Sequence, residues 1–76
     1  VGKSYLRDEI FLKTFGQHLR MLRESKKLSQ EHLANLSDLP LSQIGRIERG
    51  EINTSLSHVA AIAKFLKVPP KDLFDF

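Results

Sequence analysis

The sequence predicts an all-α fold, a compact set of five helices arranged around two short helices that meet at a tight turn. Three observations predict it. Apolar residues recur at helical spacing in successive stretches, most clearly Phe11, Phe15, Leu19 and Leu22, and later Leu56, Val59, Ile62, Ala63 and Leu66. Only Ser37-Asp38-Leu39-Pro40 separates the apolar segment around Leu33, Ala34 and Leu36 from the one carrying Leu41, Ile44 and Ile47. Two helices joined by so short a gap must cross steeply, which is the helix-turn-helix arrangement. Finally, 76 residues with 41% hydrophobic and 28% charged side chains are ordinary for one globular domain, near the lower limit for a chain that folds on its own core. With no cysteine, neither disulfides nor a thiolate metal site can contribute, and packing must suffice.

The elements follow in order. Ser4 is a candidate cap, and Asp8 and Glu9 suit a first helical turn, where the dipole favours acids. One helix is expected from about Asp8 to Ser25, with Gly16 as a place where it would break and with Phe11 and Leu12 projecting past the core. Lys26-Lys27 places cations at its negative end. Ser29 caps a second helix running to about Leu36, in which the small Ala34 allows close approach of the third. That third helix spans about Leu41 to Arg49, with Leu41, Ile44 and Ile47 as an inward stripe, and ends at Gly50 in a left-handed conformation. Thr54 or Ser55 caps a fourth helix whose broad apolar face includes Leu56 and Ala60, and Val68-Pro69-Pro70 stops it. A short fifth helix from Lys71 to Phe76 turns Leu73 and Phe74 inward and leaves Phe76 with little to cover. The expected organisation is one domain over residues 1–76, with the helix-turn-helix at about 29–49 and the C-terminal helices at about 55–75.

The stretch LSQEHLANLSDLPLSQIGRIERG, from Leu28 to Gly50, resembles the core of the lambda-repressor-like, Xre-type helix-turn-helix family of DNA-binding domains. Leu28-Ser29-Gln30-Glu31, Leu33-Ala34, Ile44 and Arg46-Ile47-Glu48-Arg49-Gly50 carry the likeness. It extends through Thr54-Ser55-Leu56, Ile62-Ala63 and Leu66-Lys67-Val68, and back to Phe15-Gly16, Leu19, Leu22 and Arg23, so it covers roughly Phe15 to Phe74. Two positions depart from the family pattern: Asp38 stands where glycine is usual, in a turn requiring positive φ, and Pro40 stands where Ser or Thr usually caps the recognition helix.

The resemblance implies a sequence-specific DNA-binding transcriptional regulator acting as a homodimer on operator DNA. Its second helix-turn-helix helix would enter the major groove while the first crosses the backbone. Leu41, Ser42, Gln43 and Arg46 are then the base-reading candidates, and Gly45 allows close approach. Arg46 leads them, because guanidinium can bond both acceptors of guanine; Leu41 suits a thymine methyl, and Ser42 donates or accepts. Gln30 takes a phosphate at the start of the second helix, and Arg49, Asn53, Thr54 and Ser55 hold neighbouring phosphates, with Glu51 opposing them. Arg23 and Glu48 are implied to form a structural ion pair rather than to touch DNA. Restriction–modification controllers and phage-type repressors are small members of this family, and either would fit.

A net charge of +3 and a pI near 9.5 permit a nucleic-acid partner without demanding one. The rival reading is a protein-interaction module, an antitoxin or adaptor using the same fold. His18, His32 and His58 fall on different helices with no carboxylate or cysteine cluster at ligand spacing, and nothing orders Ser, His and Asp into a triad. No enzyme activity, metal, cofactor or small-molecule ligand is expected. No apolar run reaches the length of a membrane span, so the expected setting is the cytoplasm, with duplex DNA as partner.

Overall fold

The computed structural model describes residues 6–76, so the candidate cap Ser4 lies outside the described residues. The elements are α1 (Glu9–Ser25), α2 (Gln30–Ser37), α3 (Leu41–Glu48), α4 (Leu56–Leu66) and a 3-10 helix (Pro70–Phe74). The fifth helix expected from the sequence is therefore the 3-10 turn, entered through Pro69 and Pro70. Five residues with a proline at the start are too few to nucleate an α-helix unaided.

Each α-helix but one starts on a side-chain cap. Asp8 Oδ1 accepts from the Phe11 amide at 2.9 Å, Ser29 Oγ from His32 at 2.9 Å and Ser55 Oγ from His58 at 3.1 Å. Asp8 is thus the N-cap of α1 rather than part of its first turn, and Ser55 rather than Thr54 caps α4. Pro40 precedes α3 with φ −60° and ψ 142° and supplies no capping oxygen.

The helix ends share one device. Leu28, Leu39, Glu51 and Val68 each donate a backbone N–H five residues back, to Arg23, Ala34, Arg46 and Ala63, at 2.9–3.2 Å. The residue before each is left-handed: Lys27 at φ 59°, Asp38 at 56°, Gly50 at 71° and Lys67 at 61°. This is the Schellman closure, which satisfies carbonyls that the helix itself leaves orphaned. Three of the four closures use a residue other than glycine, and each of those is followed by an aliphatic side chain (Leu28, Leu39 or Val68) packed against the core. Lys67 therefore ends α4 before the prolines are reached.

The core gathers Phe15 and Leu19 from α1, Leu33 and Ala34 from α2, Ile44 and Ile47 from α3, Val59, Ile62, Ala63 and Leu66 from α4, and Leu73 from the 3-10 helix. α3 packs on α1 and α2, α2 on α4, and the 3-10 helix on α1 and α4. α1 runs unbroken through Gly16, whose role is a crossing point: a β-carbon there would lie 2.4 Å from the carbonyl oxygens of Ile47 and Glu48. The backbones of α1 and α3 can meet only over a glycine. Some apolar positions face outward instead. Leu56 is 81% exposed and Ala60 is also exposed, so the buried face of α4 is narrower than its composition suggests. Leu41 is 47% exposed, which leaves Ile44 and Ile47 as the inward stripe of α3.

Candidate nucleic-acid interface

The helix-turn-helix is held by charge as well as by packing. Arg23, from α1, and Glu48, at the end of α3, are buried, with side chains 8% and 2% exposed. They meet through two hydrogen bonds: Nε to Oε2 at 2.6 Å and Nη2 to Oε1 at 3.0 Å. Arg23 Nη1 also donates to the Leu28 carbonyl at 2.7 Å, and the Gln30 amide donates to Glu48 Oε1 at 3.0 Å. The bond to Glu48 raises the Arg23 pKa above its ordinary value, against the opposing effect of burial. A pair this dry is stable only because its remaining donors and acceptors are also met, so removing one partner would strand a buried charge at a cost of about 3–5 kcal/mol. The network ties α1, the start of α2 and the end of α3 into one unit.

That unit presents the outer face of α3. Leu41, Ser42 and Arg46 are exposed, and Arg46 makes no ion pair among the described residues. Gly45, read from the sequence as part of this face, is instead buried under two side chains. A β-carbon on it would lie 3.0 Å from Arg49 Nη1 and 3.6 Å from Gln30 Oε1. Gln30 is therefore half-buried, its nitrogen committed to Glu48, with its oxygen toward α3. Gln43 is also half-buried, its amide 3.0 Å from Nδ1 of His58 on α4. The starts of α2 and α4 thus abut α3 from two sides, the layout in which helix N-termini can flank a groove-reading helix with anion-binding amides.

The loop after α3 holds the remaining candidates. Arg49 is exposed but engaged: its Nε donates to Glu51 Oε2 at 2.6 Å and its Nη2 to Oε1 at 3.3 Å. These bonds raise the Arg49 pKa and hold the Glu51 carboxyl below the usual carboxylate range. Asn53 is exposed and donates to the Leu6 carbonyl at 3.4 Å; Thr54 lies 3.4 Å from His58 Nδ1; Ser55 spends its hydroxyl oxygen on capping α4. Sequence reasoning missed Arg7, whose Nη2 donates to the carbonyls of Glu51 at 2.6 Å and Gly50 at 3.3 Å and which also pairs with Glu9. It missed the role of His18, whose Nε2 donates to the Asp72 carbonyl at 2.7 Å and so anchors the 3-10 helix. No local pattern signals contacts that span 43 to 54 residues.

Among the described residues, no three His, Cys, Asp or Glu side chains are placed to hold a metal ion, and no helix is long and apolar enough to cross a membrane.

Comparison with known proteins adds to this geometry. A sequence profile described as helix-turn-helix matches residues 19–73. The control protein C.BamHI of Bacillus amyloliquefaciens is 51% identical over 63 residues, which is 82% of this chain and 78% of that protein. The immunity repressor protein of Bacillus phage phi105 is 38% identical over 55 residues, which is 72% of this chain and 38% of that longer protein. Among solved structures, the restriction–modification controller protein C.AhdI from Aeromonas hydrophila superposes with a TM-score of 0.82 at 49% identity, covering 83% of this chain and 96% of the other. With the fold, the buried Arg23–Glu48 pair and the profile match over most of its length in agreement, the chain belongs to the lambda-repressor-like (Xre-type) helix-turn-helix family.

Proposed function

We propose that this domain is a sequence-specific DNA-binding transcriptional regulator, a restriction–modification controller that binds a two-fold operator as a homodimer. The observation that carries the reading is the outer face of α3. Leu41, Ser42 and Arg46, which makes no ion pair among the described residues, stand exposed on a helix braced from behind by the Arg23–Glu48 network and flanked by the starts of α2 and α4. Arg46 reads a base edge, with Leu41, Ser42 and Gln43 beside it. Gln30, Arg49, Asn53, Thr54 and Ser55 serve the phosphates through side chains and the amides of the helix starts. The controller role draws support from C.BamHI and C.AhdI, which share about half their aligned residues with this chain and are matched over most of their own length. Its place of action is the cytoplasm, where such DNA lies.

Dimerisation has a matching surface. Phe11, Phe74 and Phe76 are 45%, 40% and 51% exposed and lie against one another, with ring centroids 6.3 Å apart for Phe11–Phe74 and 5.4 Å for Phe11–Phe76. Exposed Leu6 and Leu56 border a neighbouring cleft of about 270 Å³. Apolar side chains so grouped mark an association surface.

The test is binding to the duplex DNA upstream of the chain's own gene at several salt concentrations. Affinity that falls steeply with salt, with two protected half-sites about one helical turn (~34 Å) apart, is expected. Absence of binding to any promoter fragment would favour an interaction module on the same fold.

A further inference from the structure

Gln43 differs from its neighbours on α3. Ser42 and Arg46 are exposed, whereas the Gln43 amide Nε2 rests 3.0 Å from His58 Nδ1, and the Thr54 hydroxyl lies 3.4 Å from the same nitrogen. With the Gln43 amide nitrogen toward His58, Nδ1 is the acceptor, an arrangement that requires the tautomer with its proton on Nε2. His58 is itself held in place. It sits in the first turn of α4, with its backbone N–H on the Ser55 capping hydroxyl at 3.1 Å and its side chain half-buried.

We propose that His58 is a positioning residue for base reading: by accepting one amide proton of Gln43, it fixes which way round that amide faces the groove and so sets the base pair Gln43 prefers. The proposal rests on α3 being the helix that reads DNA. A glutamine left to itself can present its amide in either sense, because a half-turn about the last bond exchanges oxygen and nitrogen. The nitrogen carries two protons, one on the same edge as the oxygen and one directed away from it. A bond from the outer proton to His58 leaves the oxygen and the inner proton as a donor–acceptor edge. That edge complements N6 and N7 of adenine in the major groove. In the tautomer with its proton on Nε2, turning the amide over would set its oxygen against the lone pair of Nδ1, which repels. The imidazole thus acts on DNA only through Gln43, and the bond ties the reading helix to the start of α4, where Thr54 and Ser55 stand.

The experiment uses the complete chain and duplexes that it enriches from a random-sequence pool, together with every single base-pair variant of the best duplex. Gln43→Ala is expected to flatten the preference at one base-pair position. His58→Phe, which keeps a ring but removes the acceptor, should flatten the same position, reducing discrimination there by about 5-fold or more, the lower end of what one bidentate contact confers. The salt slope should be unchanged, and His58→Phe added to Gln43→Ala should do nothing further. His58→Asn, whose side-chain oxygen can take the place of Nδ1, should restore most of the preference. If His58→Phe does not fold, the amide protons of Gln43 in the unaltered protein carry the test by magnetic resonance. One Gln43 amide proton protected from exchange and coupled to His58 Nδ1 supports the proposal, and two protons that both exchange at the rate of a free side-chain amide overturn it. It is also overturned if His58→Phe lowers affinity equally on all variants, or alters a position that Gln43→Ala leaves untouched. A protein that enriches no sequence at all would instead refute the DNA-reading role of α3.

Discussion

Arg46 and Arg49 lie less than one helical turn apart, yet their surroundings assign them different work. Arg46 projects from the last turn of α3 with no paired carboxylate among the described residues, so its guanidinium is available to a guanine edge. Arg46→Ala is expected to cost about 1–3 kcal/mol on the best site and much less on random DNA; equal losses on both would make it a phosphate ligand. Arg49 is neutralised by Glu51 through two hydrogen bonds before any DNA arrives. Glu51→Gln should therefore strengthen binding to all sequences and steepen the salt dependence by about one counterion, as titrations at two or more salt concentrations would show. The pH sign follows from the same pair. The Glu51 carboxyl is held low first by its hydrogen bond from Arg49, so the pair is intact above the ordinary carboxylate pKa and is lost only as pH falls through the depressed value. The ratio of Glu51→Gln to unaltered affinity should stay constant from pH 7 down to about 4.3. A ratio that collapses near pH 5 would mean that the pair does not persist in solution.

At the scale of the elements, the helix ends are the instructive feature. A left-handed conformation costs a residue with a β-carbon roughly 1–2 kcal/mol, less for Asp, whose short side chain can bond locally. Lys27, Asp38 and Lys67 all accept that cost, offset by the Schellman hydrogen bonds and by burial of Leu28, Leu39 and Val68 just beyond. Glycine at these positions removes the strain but gives the unfolded chain more freedom, an effect of about 0.4–1 kcal/mol in the other direction. Asp38→Gly and Lys67→Gly should each raise stability by up to about 1 kcal/mol, Lys67→Gly the more, raising the melting temperature by up to about 8 °C. A lowered melting temperature in either would indicate a different turn. Gly16 obeys the opposite rule despite ordinary helical placement, because the carbonyls of Ile47 and Glu48 occupy the space a side chain would need.

For the whole molecule, the decisive surface is aromatic. The sequence left two separate apolar places, Phe11 and Leu12 past the core on the first helix and Phe76 with little to cover at the C-terminal end. Phe11 stacks on Phe74 and meets Phe76 in a tilted contact, so the two are one surface. Phe11→Asp and removal of Phe74 to Phe76 should therefore have the same effect, a shift toward monomer in sedimentation and weaker operator binding as the linkage between half-sites is lost. Because Phe74 also covers the buried Phe15, with centroids 5.1 Å apart, the truncation should lower stability as well, whereas Phe11→Asp acts mainly on association. A fully dimeric Phe11→Asp protein would place the interface elsewhere.

The sequence by itself determined where the helices lie, because a helix depends on residues within a turn of one another. Ser29 and Ser55 as caps, the short Ser37–Pro40 break and the spacing of Ile44 and Ile47 are all local signals, and each has its structural counterpart. The positive φ at Asp38 was legible only through family likeness, and those at Lys27 and Lys67 were not legible, since lysine carries no left-handed signal and the aliphatic residue that compensates must first find the core. The candidate site divides the same way. That Ser42 and Arg46 share an outer face follows from one helix and its inward residues, whereas Leu41, expected in the inward stripe, is left exposed by the packing. That Gln43 meets His58, that Gln30 and Arg49 roof Gly45, and that Arg7 reaches the loop after α3 depend on how separate helices cross. Crossing is settled by which buried surfaces fit together, such as Gly16 against the α3 carbonyls, and that fit exists only once the chain has closed on its core.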